Sequence, residues 1–457
     1  MIRSTEVRST EVPWDHYGSI DMVTMIPKLA AKCMPAAACD YADRMRCFSP
    51  NAKLYLLFVF LITLNVGIYG VIFNLYILSL GFGEDFLGLI LSLSSTSIGV
   101  FAIPAAFVCD RLGRKKTLLL SSLLLSLSLF FLYNTTSKWL LMAFSIAYGA
   151  ASTLSLVTGA TFLVENSAPY ERMHLFSMYS IIYAISTLSG NIIGGFFPDF
   201  LANSQLGHFM LQADMTTEYR LTLYISLASV IISLLPLLHI EELDYMEKAG
   251  ISSQIHVYRS VFKSKIVKRM LWFYCIFGLG WGTSLPYFNV FFDVVHRASS
   301  DQIGMIFSVS QLLMMAGYFL VPWLTERMGK VRMASTVQAA SIPFLLLFTL
   351  STSISMAAIG YAMRYMLMNM ANPVLNSFKL EISGPKERSM INSVMWMACY
   401  LFVGMGTYAG GLMMSRGEYS MPFMLTGLIY LASAVLYYLW FNDFERLMNA
   451  QKKERIA

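Results

Sequence analysis

Charge is what this chain has least of. Only 13% of its 457 residues are Asp, Glu, Lys or Arg, while 56% are hydrophobic; a soluble globular domain carries about 25% charge. That scarcity argues against a water-soluble enzyme. The formal net charge of +6 is likewise no nucleic-acid signal, for reasons of placement given below. The six cysteines (33, 39, 47, 109, 275 and 399) have neither metal-ligand spacing nor the pattern of a disulfide framework, so reduced thiols are expected and no metal or cofactor. The six histidines, at 16, 174, 208, 239, 256 and 296, fall in tails, loops or at the ends of apolar runs. A membrane enzyme would need a His or acid cluster within those runs, and no catalytic residue is expected. Gly113-Arg114-Lys115 lacks the leading glycine spacing of a phosphate-binding loop, so nucleotide hydrolysis is not the expected energy source. Residues 1–52 contain no continuous apolar run of the kind a signal peptide needs. They open with RSTEV twice, at 3–7 and 8–12, and read as a disordered or surface-lying tail, with Met45 a second candidate start.

What the chain does have is long apolar runs, with a mean hydropathy of +0.59. A helix crossing a bilayer needs about 20 apolar residues, and twelve runs qualify: about 54–80, 86–109, 117–134, 139–164, 173–198, 221–238, 270–295, 302–325, 333–350, 355–380, 389–414 and 420–441. They are too long and too uniformly apolar for the alternating strands of a barrel. The expected fold is therefore all-α and membrane-embedded. Its parts are a tail (1–52), a six-helix bundle (53–238), a linker (239–269), a second six-helix bundle (270–441) and a second tail (442–457). Most of the 33 Lys and Arg fall in alternate connections and the tails: 111–116, 172, 248–269, 327–332 and 386–388. The other side has only Lys138, Arg220, Arg297 and Arg416. The basic side is the expected cytoplasmic side, with both termini inside and the cell membrane as location. In the linker, Ile255, Tyr258, Phe262 and Ile266 share a helical face, the pattern of a helix lying on the inner leaflet or of an ordinary solvated linker helix.

The two bundles are copies. Asp85, Gly88, Ile90, Ser92, Ser94, Arg111 and Gly113 recur 216 positions later as Asp301, Gly304, Ile306, Ser308, Ser310, Arg327 and Gly329. Glu165, Pro169, Glu171 and Arg172 recur at the same offset as Glu381, Pro385, Glu387 and Arg388; Gly190, Gly194 and Gly195 recur as Gly406, Gly410 and Gly411. A unit this long is half of a machine rather than a solenoid repeat. Both copies put their basic loops on one face, which requires an even number of spans between them.

Three duplicated motifs carry the mechanics. The loop after the second span reads Ala106-x-x-x-Asp110-Arg111-Leu112-Gly113-Arg114-Lys115-Lys116, and its copy reads Pro322-x-x-x-Glu326-Arg327-Met328-Gly329-Lys330. This pattern resembles the loop signature of the major facilitator superfamily, G-x-x-x-D-R-x-G-R-R/K, with the leading glycine replaced in both copies. The resemblance covers about residues 53–441. It implies two six-helix bundles that rock about a mid-membrane site, with this loop as a latch. The second motif, from Glu165 to Arg172 and from Glu381 to Arg388, also resembles the superfamily. Glu165 is close enough in topology to pair with the loop at 111–114, a candidate inner gate. The third, Gly190-Asn191-Ile192-Ile193-Gly194-Gly195 with its copy at 406–411, is similar to the fifth-span motif of superfamily antiporters, but Asn191 stands where that motif has Pro. Plain close packing of small residues is the stronger reading of these glycines.

Ionisable groups inside a membrane are candidate functional groups. At about 100° per residue, Arg364, Asn369, Asn372, Asn376 and Lys379 share one arc of the tenth span; Lys379, near its end, reads as a snorkelling side chain. Asn289 and Asp293 lie one turn apart in the seventh. In the N-terminal half, Asn65, Tyr69 and Tyr76 form one stripe of the first span, and Ser145, Tyr148, Ser152 and Ser155 belong to the fourth. If the resemblance holds, spans 1, 4, 7 and 10 surround the cavity. The candidate binding set is then Arg364, Asn289, Asp293, Asn372, Asn376, Asn65, Tyr69, Tyr148 and Trp281. The expected function is secondary transport of a small amphipathic or anionic organic solute by a monomer in the bilayer. Protons are the candidate coupling ion, with Asp293 the one carboxylate to suggest it. A uniporter, a flippase for lysolipid-like amphiphiles and a non-transporting receptor built on the same frame are the alternatives.

Overall fold

A computed structural model describes residues 48–167, 172–203, 215–242, 264–382 and 388–456. From Pro50 onward the chain forms one compact unit. Its helices are α1 (Pro50–Ser79), α2 (Glu84–Leu112), α3 (Arg114–Asn134), α4 (Lys138–Glu165), α5 (Arg172–Asn203), α6 (Met215–Ile232), α7 (Leu234–His239), α8 (Lys265–Ser284), α9 (Phe288–His296), α10 (Ser300–Met328), α11 (Lys330–Leu350), α12 (Ile354–Glu381), α13 (Arg388–Met414) and α14 (Met421–Ile456). Among the described residues, ten helices are long and apolar enough to cross a membrane, with α6 and α7 counted together. The two spans outside that set are α8–α9 and α12, which carry most of the candidate binding residues. The helices make two six-span halves, as the duplication implies.

The helices form because a bilayer offers backbone groups no hydrogen-bonding partner, so each segment must satisfy them internally. Where proline removes a donor, the ladder breaks. The seventh span, read as one run from the sequence, is interrupted by a 3-10 turn at Leu285–Tyr287. Pro286 has no N–H to offer the Gly282 carbonyl, and Thr407 Oγ1 donates to that carbonyl instead, at 3.2 Å. The sixth span is likewise split at Ser233, ahead of Pro236. At the other end of the chain the twelfth span does not stop near residue 441 but runs as one helix to Ile456. The linker residues Ile255, Tyr258 and Phe262, and Cys33, Cys39 and Cys47, lie outside the described residues, as do Pro169, Glu171, Pro385 and Glu387.

The halves meet through α2 with α13, α5 with α10, and α1 with α9 and α10. Glycine sets how closely. A Cβ built on Gly195 would lie 2.7 Å from Gly304 Cα, and one on Gly411 would lie 2.7 Å from Gly88 Cα. These are one contact seen twice, since Gly88 and Gly304, and Gly195 and Gly411, are repeat partners. Gly190 and Gly194 pack instead on α1 at Leu64 and Ile68, and Gly406 and Gly410 on α8 at Leu279 and Thr283. The glycines thus act as the small residues that allow close approach of membrane helices.

Candidate functional site

Both latch loops have the same backbone. Gly113 and Gly329 each adopt φ of 83°, a region that favours glycine. In the first copy Arg114 meets Asp110 at 3.0 Å and Glu165 at 3.0 Å, its planar fork reaching both carboxylates. In the second, Lys330 pairs with Glu381 and with Ser377 Oγ, the latter at 2.9 Å. A lysine cannot fork, and Glu326 stays exposed while Arg327 stacks over Trp323 at 4.2 Å. Arg111 and Arg172 are exposed, and the side chain of Arg388 lies outside the described residues. Both acid–base pairs form inside their own halves. They brace the third span against the fourth and the ninth against the tenth. One partner escaped sequence reading: the Glu445 carboxylate accepts from the backbone N–H groups of Lys330 at 2.6 Å and Val331 at 3.0 Å, capping α11 from beyond the expected end of the twelfth span. Negative charge favours that helix start.

The candidate binding residues divide into three places. Asn289 is buried at the junction of the halves. Its Nδ2 donates to the Val71 carbonyl at 3.0 Å and the Gly70 carbonyl at 3.3 Å, and its Oδ1 accepts from Asn74 Nδ2 at 2.9 Å. Asn74 also donates to the Pro286 carbonyl at 2.5 Å, so the 3-10 break is stitched to the first span. Asn74 was not singled out from the sequence, because an amide in an apolar run carries no signal until its partner is known. Asp293 is half-buried one turn on, where its charge acts on Tyr219 of the sixth span.

The second place is in the N-terminal half. Tyr69 stacks on Tyr148 with ring centroids 5.2 Å apart, and Asn65 reaches Tyr148 with its side chain while its Oδ1 is buried without a partner. Tyr76 leaves this group: its hydroxyl donates to the Tyr133 carbonyl at 2.7 Å and accepts from Arg220 at 3.2 Å. The stripe of the first span is therefore interrupted one turn above Phe73. Ser152 is occupied by the Tyr148 carbonyl at 2.8 Å, and Ser145 is buried.

The third place is α12. Asn372 donates to Asn369 at 3.2 Å, Asn369 to the Tyr365 carbonyl at 2.8 Å, and Tyr365 to Gln311 at 3.0 Å. Lys379 does not snorkel. It is 1% exposed, donates to Asn376 at 3.0 Å, and holds its ammonium 5.1 Å from the Tyr274 ring and 5.2 Å from the Trp396 ring. Arg364, 2% exposed, faces the Phe288 ring at 4.7 Å and the Tyr430 ring at 5.8 Å. No carboxylate pairs with Arg364 among the described residues, and its Nε has no partner. Ring faces offset part of the cost of a buried cation, not all of it. Trp281 lies between, its ring 5.8 Å from Tyr400, which is 5.9 Å from Trp396. An aromatic wall thus joins the seventh and eleventh spans beside the two cations.

The sequence profile of the Major Facilitator Superfamily matches residues 55–297 and 271–455. The chain belongs to the major facilitator superfamily. It is accordingly an integral membrane protein of a transporter family and not an enzyme. Superfamily structures share its fold across most of both chains. A bacterial homologue of the human lysosomal transporter Spinster, inward-facing and occupied, superposes with a TM-score of 0.68 at 14% identity, covering 86% of this chain and 97% of that one. A D-xylose–proton symporter gives 0.68 at 12%, covering 85% and 97%. The human organic anion transporter TETRAN gives 0.61 at 14%, covering 85% and 99%. No curated protein matches the chain by sequence.

Proposed function

We propose that this superfamily member is a secondary transporter that moves a small organic anion, or an amphiphile with an anionic head, by alternating access. The observation that carries the reading is the pair of buried cations on α12, Arg364 and Lys379, set against the rings of Phe288, Tyr430, Tyr274 and Trp396. A fork of N–H donors in a low-dielectric, aromatic setting favours a carboxylate or phosphate, and the rings suit an apolar body attached to it. The half-exposed Asn372, Asn376, Tyr69 and Tyr148 supply neutral polar contacts on either side. Superfamily structures with this fold include transporters of a sugar, a nucleoside and organic anions; buried positive charge without a carboxylate on Arg364 favours the last chemistry. The basic loops support a latch face turned to the cytoplasm of a cell membrane, and in this reading the chain works as a monomer driven by an ion or solute gradient.

The test is counterflow in proteoliposomes containing the full chain, with labelled anionic, neutral and cationic organic solutes of matched size. Anionic solutes should exchange, and Arg364→Met should abolish that exchange while the variant stays monodisperse and inserted. Exchange confined to neutral or cationic solutes, or undiminished in Arg364→Met, would overturn the assignment.

A further inference from the structure

The C-terminal half carries an aromatic wall that the duplicated frame does not supply. On α8, Trp281 stands nine residues after Trp272, which is 60% exposed. At about 100° per residue the two point opposite ways, so Trp281 is turned inward from the lipid face. On α13, Trp396 stands nine residues before Met405, which is 61% exposed, and is turned inward in the same way. The helices press together behind these rings, because a Cβ on Gly278 or Gly282 would strike the Cys399 or Val403 carbonyl. Ring centroids then step from Trp396 to Tyr400 at 5.9 Å, to Trp281 at 5.8 Å, to Phe277 at 6.4 Å and to Tyr430 at 5.6 Å. Lys379 lies over Trp396 at one end, at 5.2 Å, and Arg364 over Tyr430 at the other, at 5.8 Å. Trp396, Tyr400, Trp281 and Phe277 are half-exposed, and among the described residues none of them meets a ring of the N-terminal half. Their repeat partners are Ser180, Ala184, Asn65 and Leu61.

Arg364 and Lys379 are 15 residues apart on α12, about 22 Å by the rise of an α-helix. A small acid therefore meets one cation at a time, and its body lies along the rings. A second ring laid on such a wall gains stacking of opposed quadrupoles beyond the area it buries, whereas an aliphatic body gains the area alone. Resting on the anion-transport reading above, we propose that the solute is an aromatic acid. Its ring system seats on Trp281, Tyr400 and Trp396 while its acid group faces Lys379 or Arg364. These three side chains determine specificity: they separate flat aromatic acids from aliphatic amphiphiles of the same charge, the lysolipid kind included. Because the wall breaks the repeat, the aromatic contacts belong to one half, and the other half presents Asn65 where the wall has Trp281.

The experiment compares the binding of naphthalenesulfonate and of its ring-saturated counterpart, decalinsulfonate, to the full chain in nanodiscs by titration calorimetry, with empty nanodiscs as the blank. Both probes are fully ionised at neutral pH and share one carbon skeleton. Only the first is aromatic, and the second is the more apolar. The unsubstituted chain should favour naphthalenesulfonate by about tenfold in Kd. That ratio should fall toward one in whichever of Trp281→Leu, Tyr400→Leu and Trp396→Leu stay monodisperse, and should be largely kept in Trp281→Phe and Trp396→Phe. Equal affinities in the unsubstituted chain, or a preference for decalinsulfonate, overturn the aromatic assignment and leave the anion reading standing. A preference that survives in the leucine variants overturns it as well. Binding of neither sulfonate overturns the anion reading together with the wall's role.

Discussion

Replacing Asn289 by leucine should open the face opposite the latches without unfolding either half. Three hydrogen bonds across the halves depend on this side chain: to Val71 O at 3.0 Å, to Gly70 O at 3.3 Å and from Asn74 Nδ2 at 2.9 Å. Interhelical hydrogen bonds within membranes average about 0.6 kcal/mol each, so their combined loss is about 2 kcal/mol. All three join the first span to the seventh, so under the alternating access proposed above they exist only while this face is closed. A perturbation confined to one conformation shifts the equilibrium by its full differential free energy, here a factor of about 30. Leucine has similar volume and leaves Asn74 its bond to the Pro286 carbonyl, so packing within each half should survive. Spin-label distances between Ser137→Cys and Ser353→Cys report the shift, and a thermal melt reports the fold. Asn74→Leu should act in the same direction, and the double variant should fall short of the sum, as partners in one network do. An unchanged distance distribution in Asn289→Leu, or additive effects of the two changes, would refute the assignment of this pair as the inter-half tie.

Other substitutions test the remaining parts. Gly282→Leu should lower the yield of folded protein sharply, because a Cβ there collides with the Val403 carbonyl; overpacking costs about 1–3 kcal/mol, read as a drop in melting temperature, whereas Gly70→Ala, with open space around it, should melt unchanged. Glu165→Gln leaves Arg114 its bonds to Asp110 and to the Cys109 carbonyl, whereas Glu381→Gln leaves Lys330 only Ser377, so Glu381→Gln should speed conformational exchange more; exchange rates by single-molecule fluorescence compare the two. Tyr419, in the connection between α13 and α14, donates to Glu84 at 2.7 Å, and desolvation followed by the Glu84 charge pushes its hydroxyl up to about 12. A raised value means the contribution is complete below the unfolded phenol's value near 10 and fades only as pH climbs through about 12. The melting difference between wild type and Tyr419→Phe should therefore be flat from about pH 5 to about pH 9.

Much of the fold was legible because the bilayer imposes a simple rule and the duplication repeats the answer. Hydropathy located the spans, and the constant offset tied Gly113 to Gly329 and Glu165 to Glu381, which then adopt matching geometry. What stayed hidden were contacts set by helix rotation across the halves. The helical arc of the tenth span was legible, but whether Lys379 reached water or turned inward to Tyr274 and Trp396 depends on neighbours from two other spans. Tyr76 shared a stripe with Tyr69 in sequence, yet Arg220 and Tyr133 claim its hydroxyl. Glu445 was hidden for a different reason: nothing in a charged C-terminal run announces that its helix continues far enough to cap another.

The glycine seams and the polar contacts obey opposite rules, and that separation is mechanistic. Gly88 with Gly411 and Gly195 with Gly304 are interchangeable under the repeat, so the two seams share one glycine contact. The polar groups are not interchangeable. Asn289 stands opposite Phe73 in the repeat, Asn74 opposite Val290, Arg364 opposite Tyr148, and Asp199 opposite Ser415. Small residues tolerate sliding because they make no directional contact, whereas each amide, guanidinium or carboxyl in a low-dielectric setting demands a specific partner. In the alternating access proposed above, a symmetric pair of smooth seams would permit motion, and asymmetric polar ties would decide which end of it is stable.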